Sequence, residues 1–428
     1  YFYNVPFAYR LRGKVEVGLL RESLQAMLRR HDFLRTTLRD EPSGGGLMQV
    51  VTPFAEERST IGVPVVDLQQ VPEVQRHDQA LRVMQSEWRR PFDLARDCPL
   101  WVCVLQLAEA EHILFLCLHN VGFEAGSLTA LLHELGAHYA AFAAGSSSAL
   151  APLPMQYADC VRWQQALVAN GMEARLAYWR EWFRPGEPPA LTLGIAKRSQ
   201  PATTFDAGIL DFEFPADLTT GLNQLCQRAG VTLFIPILAA YALVLKRHSG
   251  FSDIVLGTSF ANRNHWKLEP LIGSMLNVVA LRFDLSGSLD FVSLLRNVRD
   301  IVLSAFSQQE VPFAYVQPLL EPGRPRATPL FRTVLTFFGE LPNDRLRFPG
   351  IEVTTLDKIY CDSMFPDLYP TFWEKKTDSG TVLKGYWQYK RELYERSTVE
   401  QMLLDFRSML EAMVRDPEQS IHSDSVHT

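Results

Sequence analysis

Cysteine is sparse and dispersed: six residues (Cys98, Cys103, Cys117, Cys160, Cys226 and Cys361) are spread over 428 positions without a CxxC pair. That pattern excludes a disulfide scaffold and reads as reduced, buried thiols in a cytoplasmic protein. Long apolar runs are also missing. The most apolar one, Ile113–Leu118, falls far short of the ~20 residues that cross a bilayer, so no membrane partner is expected. Nor is there an excess of positive charge. With 42 Lys and Arg against 48 Asp and Glu, the net charge is −6, which argues against a nucleic acid or an anionic membrane. No GxxxxGK[ST] or strand-linked GxGxxG is present to cradle phosphate, and no GxSxG elbow. The ten histidines include no HExxH and no His/Cys spacing suited to zinc, so no metal is expected. No short-period repeat is visible.

What remains is an ordinary globular composition, 47% hydrophobic and 21% charged, long enough for two or three domains. Strand and helix signals alternate. Pro6–Leu11 reads as a strand, followed by a helix whose apolar face is Leu20, Leu24, Met27 and Leu28. Ser43–Gly46 is a loop before a strand at Leu47–Val51, and Arg90–Leu94 a turn. Leu100–Leu107 and Ile113–Leu118 are strands at hairpin spacing. Ser127 is the expected cap of a helix carrying Leu128, Leu131, Leu132, Leu135 and Tyr139. His133 and His138, five apart on that helix and so on different faces, are expected to be surface or partly buried residues. The Pro- and Gly-rich stretch 184–206 is the expected linker, giving an N-terminal lobe at 1–183 and a C-terminal lobe at 207–428. The second half repeats the grammar, with strands at Ala207–Phe214, Ile254–Thr258, Val278–Phe283 and Leu330–Phe338. Its helices are expected to be capped by Asp217 and Thr232, to run from Leu289 to Phe306, and to open on a capping box at Ser397–Glu400. Tyr386–Tyr394 mixes aromatic and basic residues, which strand alternation explains as well as a nucleic-acid platform does. The class is α/β or α+β, in two similar-sized lobes.

Chemistry is expected at His119-Asn120-Val121-Gly122-Phe123-Glu124-Ala125-Gly126-Ser127, between an apolar strand and a helix start, where polar side chains meet a cleft. A histidine and an acid five positions apart can form an acid/base pair. On spacing alone, however, a core histidine after six apolar residues is the simpler reading of His119.

The chain as a whole resembles the condensation domains of nonribosomal peptide synthetases. Arg30-His31-Asp32-Phe33-Leu34-Arg35-Thr36 is similar to the family's RHExLRT, and Pro91-Phe92-Asp93-Leu94 to its PFDL. Tyr157 to Gln164 is similar to YxDYAxWQ. Ala261-Asn262-Arg263 and Ile272 to Arg282 resemble GR…IGxFVNTLxLR, Val311-Pro312-Phe313 resembles VPF, and Thr328 to Phe331 NPLF. Each piece is weak alone; their number, order and spacing carry the resemblance. The family's opening motif is missing before Tyr3, so the numbering is expected to start inside a longer chain.

The resemblance implies two chloramphenicol-acetyltransferase-like lobes in a V-shaped pseudo-dimer with a central tunnel. It implies donor and acceptor peptidyl carrier proteins whose phosphopantetheine arms enter that tunnel, neighbouring synthetase domains, and no cofactor of the domain's own. The implied reaction is attack of an acceptor amine on a donor thioester. The family's active motif, HHxxxDG, falls on His119 to Ala125, where Asn120 replaces the second histidine, Glu124 the aspartate and Ala125 the glycine. Asparagine cannot exchange a proton near neutral pH, although its carbonyl oxygen can still accept a hydrogen bond. Loss of general-base help typically costs ~10²–10⁴ in rate. The family's aspartate is held by an arginine; Arg35 is the partner expected for Glu124. Ala125 matters if the backbone there has positive φ. Gly126, Ser127, Tyr157, Trp163, Asn277 and Arg282 are the expected supporting residues. Gln308-Gln309-Glu310 departs from the family's HQD.

Two readings stand open. One is a non-catalytic or impaired domain that recruits a trans-acting tailoring enzyme or a carrier protein; the other is an amide-forming condensation domain in which Asn120 orients the amine. Epimerisation needs the second histidine and the cyclising branch an aspartate at position 119, so neither is expected.

Overall fold

A computed structural model describes residues 3–42, 44, 46–56, 60–147, 150–183, 204–287, 290–320, 330–341, 345–356, 359 and 362–421. In chain order the regular elements are β1 (Asn4–Arg12), α1 (Val17–Arg30), β2 (Thr36–Asp40), β3 (Leu47–Val51), β4 (Val65–Asp67), α2 (Glu73–Trp88), β5 (Leu100–Ala108), β6 (Glu111–His119), α3 (Ala125–Ala143), α4 (Tyr157–Phe183), β7 (Ala207–Phe214) and α5 (Ala216–Ala229). They continue as α6 (Phe234–Ser249), β8 (Asp253–Phe260), β9 (Asn277–Asp284), α7 (Phe291–Phe306), α8 (Phe313–Leu320), β10 (Val334–Phe338), β11 (Glu352–Thr355), β12 (Leu368–Thr377), β13 (Gly380–Lys390) and α9 (Arg396–Arg415).

The chain forms two compact units. One comprises Tyr1–Gln165, Arg263–Met275 and Pro342–Cys361; the other comprises Ala166–Asn262, Leu276–Leu341 and Asp362–Thr428. The division expected at 184–206 is simpler than this one, because two segments from the second half of the sequence belong to the first unit. Hydrogen bonding explains one of them: β11 pairs antiparallel with β1, Tyr9 opposite Thr355 and Arg12 opposite Glu352. Residues 184–203 of the expected linker lie outside the described residues.

The first unit is built on a five-stranded sheet in the order β11-β1-β6-β5-β4. Both faces of β5 and β6 are covered, which is why Ile113–Leu118 reads as an unbroken apolar run. Val102, Val104, Leu114, Leu116 and Leu118 pack with Leu20, Leu24, Met27 and Leu28 of α1 and with Leu128, Leu131 and Leu135 of α3. On the other face Cys103, Leu105, Ile113, Phe115 and Cys117 pack with Met84 and Trp88 of α2.

The second unit carries a six-stranded mixed sheet, β7-β13-β12-β10-β8-β9, over one large core around α6, whose Ile237–Ala242 run is fully buried. The Tyr386–Tyr394 stretch falls largely on β13, an interior strand of this sheet, and Lys390 there is buried against Asp367 at 3.3 Å. Several expected caps move. α5 and α9 start after Pro215 and Glu395. Asp217 lies inside its helix and accepts from the adjacent Leu218 N–H, and Glu400 pairs with Arg396 instead of closing a box on Ser397. α6 starts after Leu233, and α7 begins at Phe291 with Asp290 accepting from the Ser293 N–H at 2.7 Å. No single helix among the described residues is long and apolar enough to cross a membrane.

Candidate functional site

The segment singled out from the sequence begins where β6 ends. His119 closes the strand opposite Asn4 of β1, and the Asn120 N–H donates to the Tyr3 carbonyl at 2.8 Å, extending the ladder one step. Asn4 is pinned in turn, its amide donating to the carbonyls of Trp88 and Arg90 at 2.7 and 2.8 Å. The strand end is therefore held from both sides.

The His119 ring is half-buried. Phe92 meets it edge-on at 5.5 Å between centroids, and Tyr3 stands 5.9 Å away. Phe92 itself stacks on Trp101 at 4.2 Å. Nδ1 accepts the Val121 N–H at 3.1 Å. Burial pushes the imidazole pKa down to about 4, so the ring is neutral at pH 7, with Nδ1 unprotonated and already engaged. The Asn120 side chain is exposed at the turn that follows.

The turn continues into the helix through Gly122 and Phe123, both buried. A Cβ on Gly122 would lie 1.9 Å from the Phe33 ring. Phe33 also packs edge-on against Phe123 at 6.3 Å and against Tyr157 at 5.0 Å. Glu124 then caps α3: its carboxylate accepts the N–H of Gly126 at 2.6 Å and of Ser127 at 3.2 Å. The cap is thus Glu124, three residues before the serine expected to serve. A carboxylate there satisfies two orphan donors and faces the positive end of the helix dipole. Ser127 is fully buried and ties the helix start to a distant segment. Its hydroxyl donates to the Gly273 carbonyl at 3.0 Å and accepts the Gly273 N–H at 3.2 Å.

The arginine that holds Glu124 is Arg263, not Arg35. Arg263 Nε donates to the carboxylate at 2.8 Å and Nη2 makes a second, shorter bond. Nη2 also reaches the Ser127 hydroxyl at 3.0 Å and the Gly273 carbonyl at 3.1 Å. Glu124 and Arg263 are 3% and 8% exposed, so the pair is dry. Arg35 is engaged locally instead, donating to the Leu28 carbonyl at 2.7 Å and pairing with Asp32. It also reaches the Thr52 carbonyl, which leaves its guanidinium committed away from Glu124. Asn262, at φ +53°, is the only non-glycine with positive φ among the described residues and turns the chain just ahead of Arg263.

The glycine requirement has also shifted. Ala125 is the first residue of α3 and has ordinary backbone, so its methyl causes no strain. At Gly126 a Cβ would stand 2.4 Å from Arg263 Nε. Gly273 adopts φ +147° with the Tyr157 ring where its Cβ would be, at 2.1 Å. The Tyr157 hydroxyl donates to the Ser274 carbonyl at 2.7 Å, and burial pushes its pKa up to about 12.

The structure thus brings together His119, Asn120, Glu124, Ala125, Gly126, Ser127 and Tyr157, with Arg263 and Gly273, within the first unit. Trp163, at 46% exposure, lies on the solvent side of α4. Asn277 and Arg282 belong to the second unit and serve its fold. Asn277 donates to the carbonyls of Gln309 and Val311 at 2.8 and 2.7 Å and accepts from the Phe313 N–H at 2.9 Å. Arg282 grips Asp253 through Nε at 2.9 Å and Nη2 at 2.6 Å. Sequence reasoning missed the site roles of Phe33, Phe92, Arg263 and Gly273, although each lies in a quoted motif. Pairing across 139 residues has no local signature. Among the described residues no group of three or more His, Cys, Asp or Glu side chains could hold a metal ion.

The mixed sheets and helices of both units are those of the chloramphenicol-acetyltransferase-like fold. The X-domain from teicoplanin biosynthesis superposes with a TM-score of 0.85 at 24% identity, covering 98% of this chain and 92% of that one. The same X-domain in complex with OxyB gives 0.83 at 23% identity, covering 100% of this chain and 91% of that one. In sequence, residues 1–427 match the Condensation domain family. Malpinin synthetase of Mortierella alpina is 34% identical over 421 residues, 98% of this chain and 5% of that protein. The chain therefore belongs to the condensation-domain family of nonribosomal peptide synthetases, and it spans about a twentieth of the length of that synthetase.

Proposed function

We propose that this is a condensation-family domain whose motif no longer supplies general-base catalysis, and that it serves as a docking module for carrier proteins or for a tailoring enzyme acting in trans. One observation supports the reading: the three polar side chains at the motif are an amide at 120, a half-buried imidazole at 119 and a carboxylate at 124 that is paired with Arg263. Asn120 is an amide. His119 is the neighbour best placed by sequence to replace the missing imidazole, yet burial drops its pKa to about 4 and Nδ1 is engaged by the Val121 N–H. A base that weak is poorly matched to an amine near neutral pH. Glu124 is spent on Arg263 and on the start of α3. The frame around the motif is nevertheless intact, which favours a role that needs the shape without the proton transfer. The fold is compatible with such a role, since the teicoplanin X-domain has been captured in complex with OxyB. In this reading any phosphopantetheine arrives on the carrier proteins, and neighbouring synthetase domains flank the module.

A second reading has its own observation. The Asn120 side chain is exposed at the end of β6, and its carbonyl oxygen is available to orient an amine. One assay separates the two. Donor and acceptor aminoacyl groups are loaded on their carrier proteins, and amide product is followed by mass spectrometry for the native chain, Asn120→Ala and Asn120→His. The docking reading expects no native product and a gain of product in Asn120→His. Native product that Asn120→Ala abolishes would overturn it in favour of orientation by Asn120.

A further inference from the structure

The turn that carries Asn120 is shaped by the residue before it. The His119 carbonyl accepts the Gly122 N–H at 3.1 Å, and the His119 ring accepts the Val121 N–H through Nδ1, also at 3.1 Å. Backbone and side chain of one residue thus fold the chain over 119–122, with Asn120 and Val121 exposed at the crest. The second of these bonds depends on how the ring is turned. The outer torsion of a histidine side chain is broad and roughly two-fold, so local geometry does not choose between the ring and its flipped form. A flip replaces Nδ1 by a carbon and takes the acceptor away from the Val121 N–H. Packing against the ring has to make the choice.

Among the described residues two other rings meet the imidazole, Tyr3 at 5.9 Å and Phe92 at 5.5 Å. Tyr3 is 45% exposed and braces it weakly. Phe92 is half-buried and stands at 78° to the imidazole, in the T-shaped arrangement that aromatic pairs favour. Phe92 is itself held. It stacks on Trp101 at 4.2 Å and 29°, and the Arg90 guanidinium lies over the Trp101 ring at 4.1 Å. Trp101 sits on β5 opposite Cys117, which is two residues before His119 and so on the same face of β6. The Arg90 carbonyl is fixed by the Asn4 amide at 2.8 Å, and Asn4 is the residue that pairs with His119 across β1 and β6. The brace therefore starts and ends on the strand end it supports.

We propose that Phe92, backed by Trp101 and Arg90, is the positioning residue of the motif: it holds the His119 ring with Nδ1 on the Val121 N–H and so fixes the turn that presents residue 120. The role is the same whether residue 120 orients an amine or only meets a docked partner, so this proposal and the proposed function fail separately.

The test uses the intact ¹⁵N-labelled chain at pH 7. Long-range ¹H–¹⁵N spectra report which ring nitrogen of His119 carries the proton, His119→Gln assigns the signals, and the Val121 amide shift reports the turn. The native chain should show one tautomer, with Nδ1 bare and Nε2 protonated. Phe92→Leu keeps an apolar side chain but removes the flat ring; it should move the Val121 amide and shift the tautomer ratio roughly threefold to tenfold, the equivalent of one aromatic pair. Phe92→Tyr keeps the ring and should restore the native spectrum, while Trp101→Leu should reproduce the Phe92→Leu change in smaller measure. Asn277→Ala, which weakens the second unit, should leave the His119 signals in place and so separates positioning from loss of stability. Mixed tautomers in the native chain, unchanged His119 and Val121 signals in Phe92→Leu, a Phe92→Tyr spectrum like that of Phe92→Leu, or the same mixing in Asn277→Ala would overturn the proposal.

Discussion

Replacing Arg263 by Met tests whether the site's frame is held as its geometry indicates. The Arg263–Glu124 pair is 8% and 3% exposed, and removing one partner of a buried pair costs ~3–5 kcal/mol because the other charge is left unpaired. Here the lower figure applies. Glu124 would keep the Gly126 and Ser127 N–H donors at 2.6 and 3.2 Å, which still stabilise a carboxylate at the head of α3. About 3 kcal/mol on a unit of this size lowers its melting temperature by ~6–12 °C. Glu124→Gln removes the charge but keeps an acceptor for the cap, so the double variant Arg263→Met/Glu124→Gln should recover ~1.5 kcal/mol relative to simple addition. Urea unfolding at pH 7, with the m-value unchanged, measures all three, and high salt should leave the Arg263→Met deficit largely intact because a dry pair is screened little. A loss under ~1 kcal/mol, or strict additivity in the double variant, would refute the account of the pair as the buried tie between α3 and the 263–275 segment.

Other perturbations have clear signs. Gly122→Ala drives a methyl to 1.9 Å from the Phe33 ring; overpacking of this kind costs ~1–3 kcal/mol, and Phe33→Leu in the same chain should return part of it in a thermal melt. Asn277→Ala strands two buried carbonyls and the Phe313 N–H at once, so a loss of ~3 kcal/mol is expected from urea unfolding of the second unit. Acid should destabilise the first unit through His119. The unfolded chain protonates this ring near its ordinary 6.5 and the folded one near 4, so its contribution is complete above pH 6.5 and is lost as pH falls toward 4. His112 and His138, also lowered by burial, act in the same direction. Stability measured from pH 7 to 4 should fall less steeply in His119→Gln, and an NMR titration midpoint for His119 near 6.5 would contradict the mechanism.

Much of this was legible in the sequence because the relevant signals are local. The β1, β5 and β6 strands, the α1 face and the β7 strand follow from apolar period and turn residues, and the mixed class followed from their alternation. The motif's position at the end of β6 was legible for the same reason. The return of β11 to β1 was not, because a four-residue strand whose partner is more than 300 positions away carries no periodicity of its own. Nor was the ion pair: Arg35 lies nearer in sequence, but its side chain is spent on Leu28 and Asp32, while Arg263 arrives from a turn set by Asn262. Serine was the expected cap by propensity, yet Glu124 takes that place because its carboxylate answers both the helix start and Arg263. His138 shows the opposite failure. Its place on a helix was evident, but the expected surface or partly buried position is in fact 4% exposed, because burial of a helix face depends on what packs there.

The same contacts explain how the motif can lose its second histidine without loss of the fold. Every strong tie at the site runs through backbone or through residues other than 120: Asn120 contributes its N–H to Tyr3, a bond that any residue except proline would make. Glu124, Ser127, Arg263 and Gly273 close their network without it. Stability therefore places no demand on an imidazole at that position, and selection for chemistry alone would keep one there. An intact frame around an asparagine fits the proposed docking role, which needs the fold but no proton transfer at position 120. That makes the Asn120→His variant the informative one, since the frame should accept the ring with little change in unfolding free energy while any restored amide formation reports on the chemistry alone.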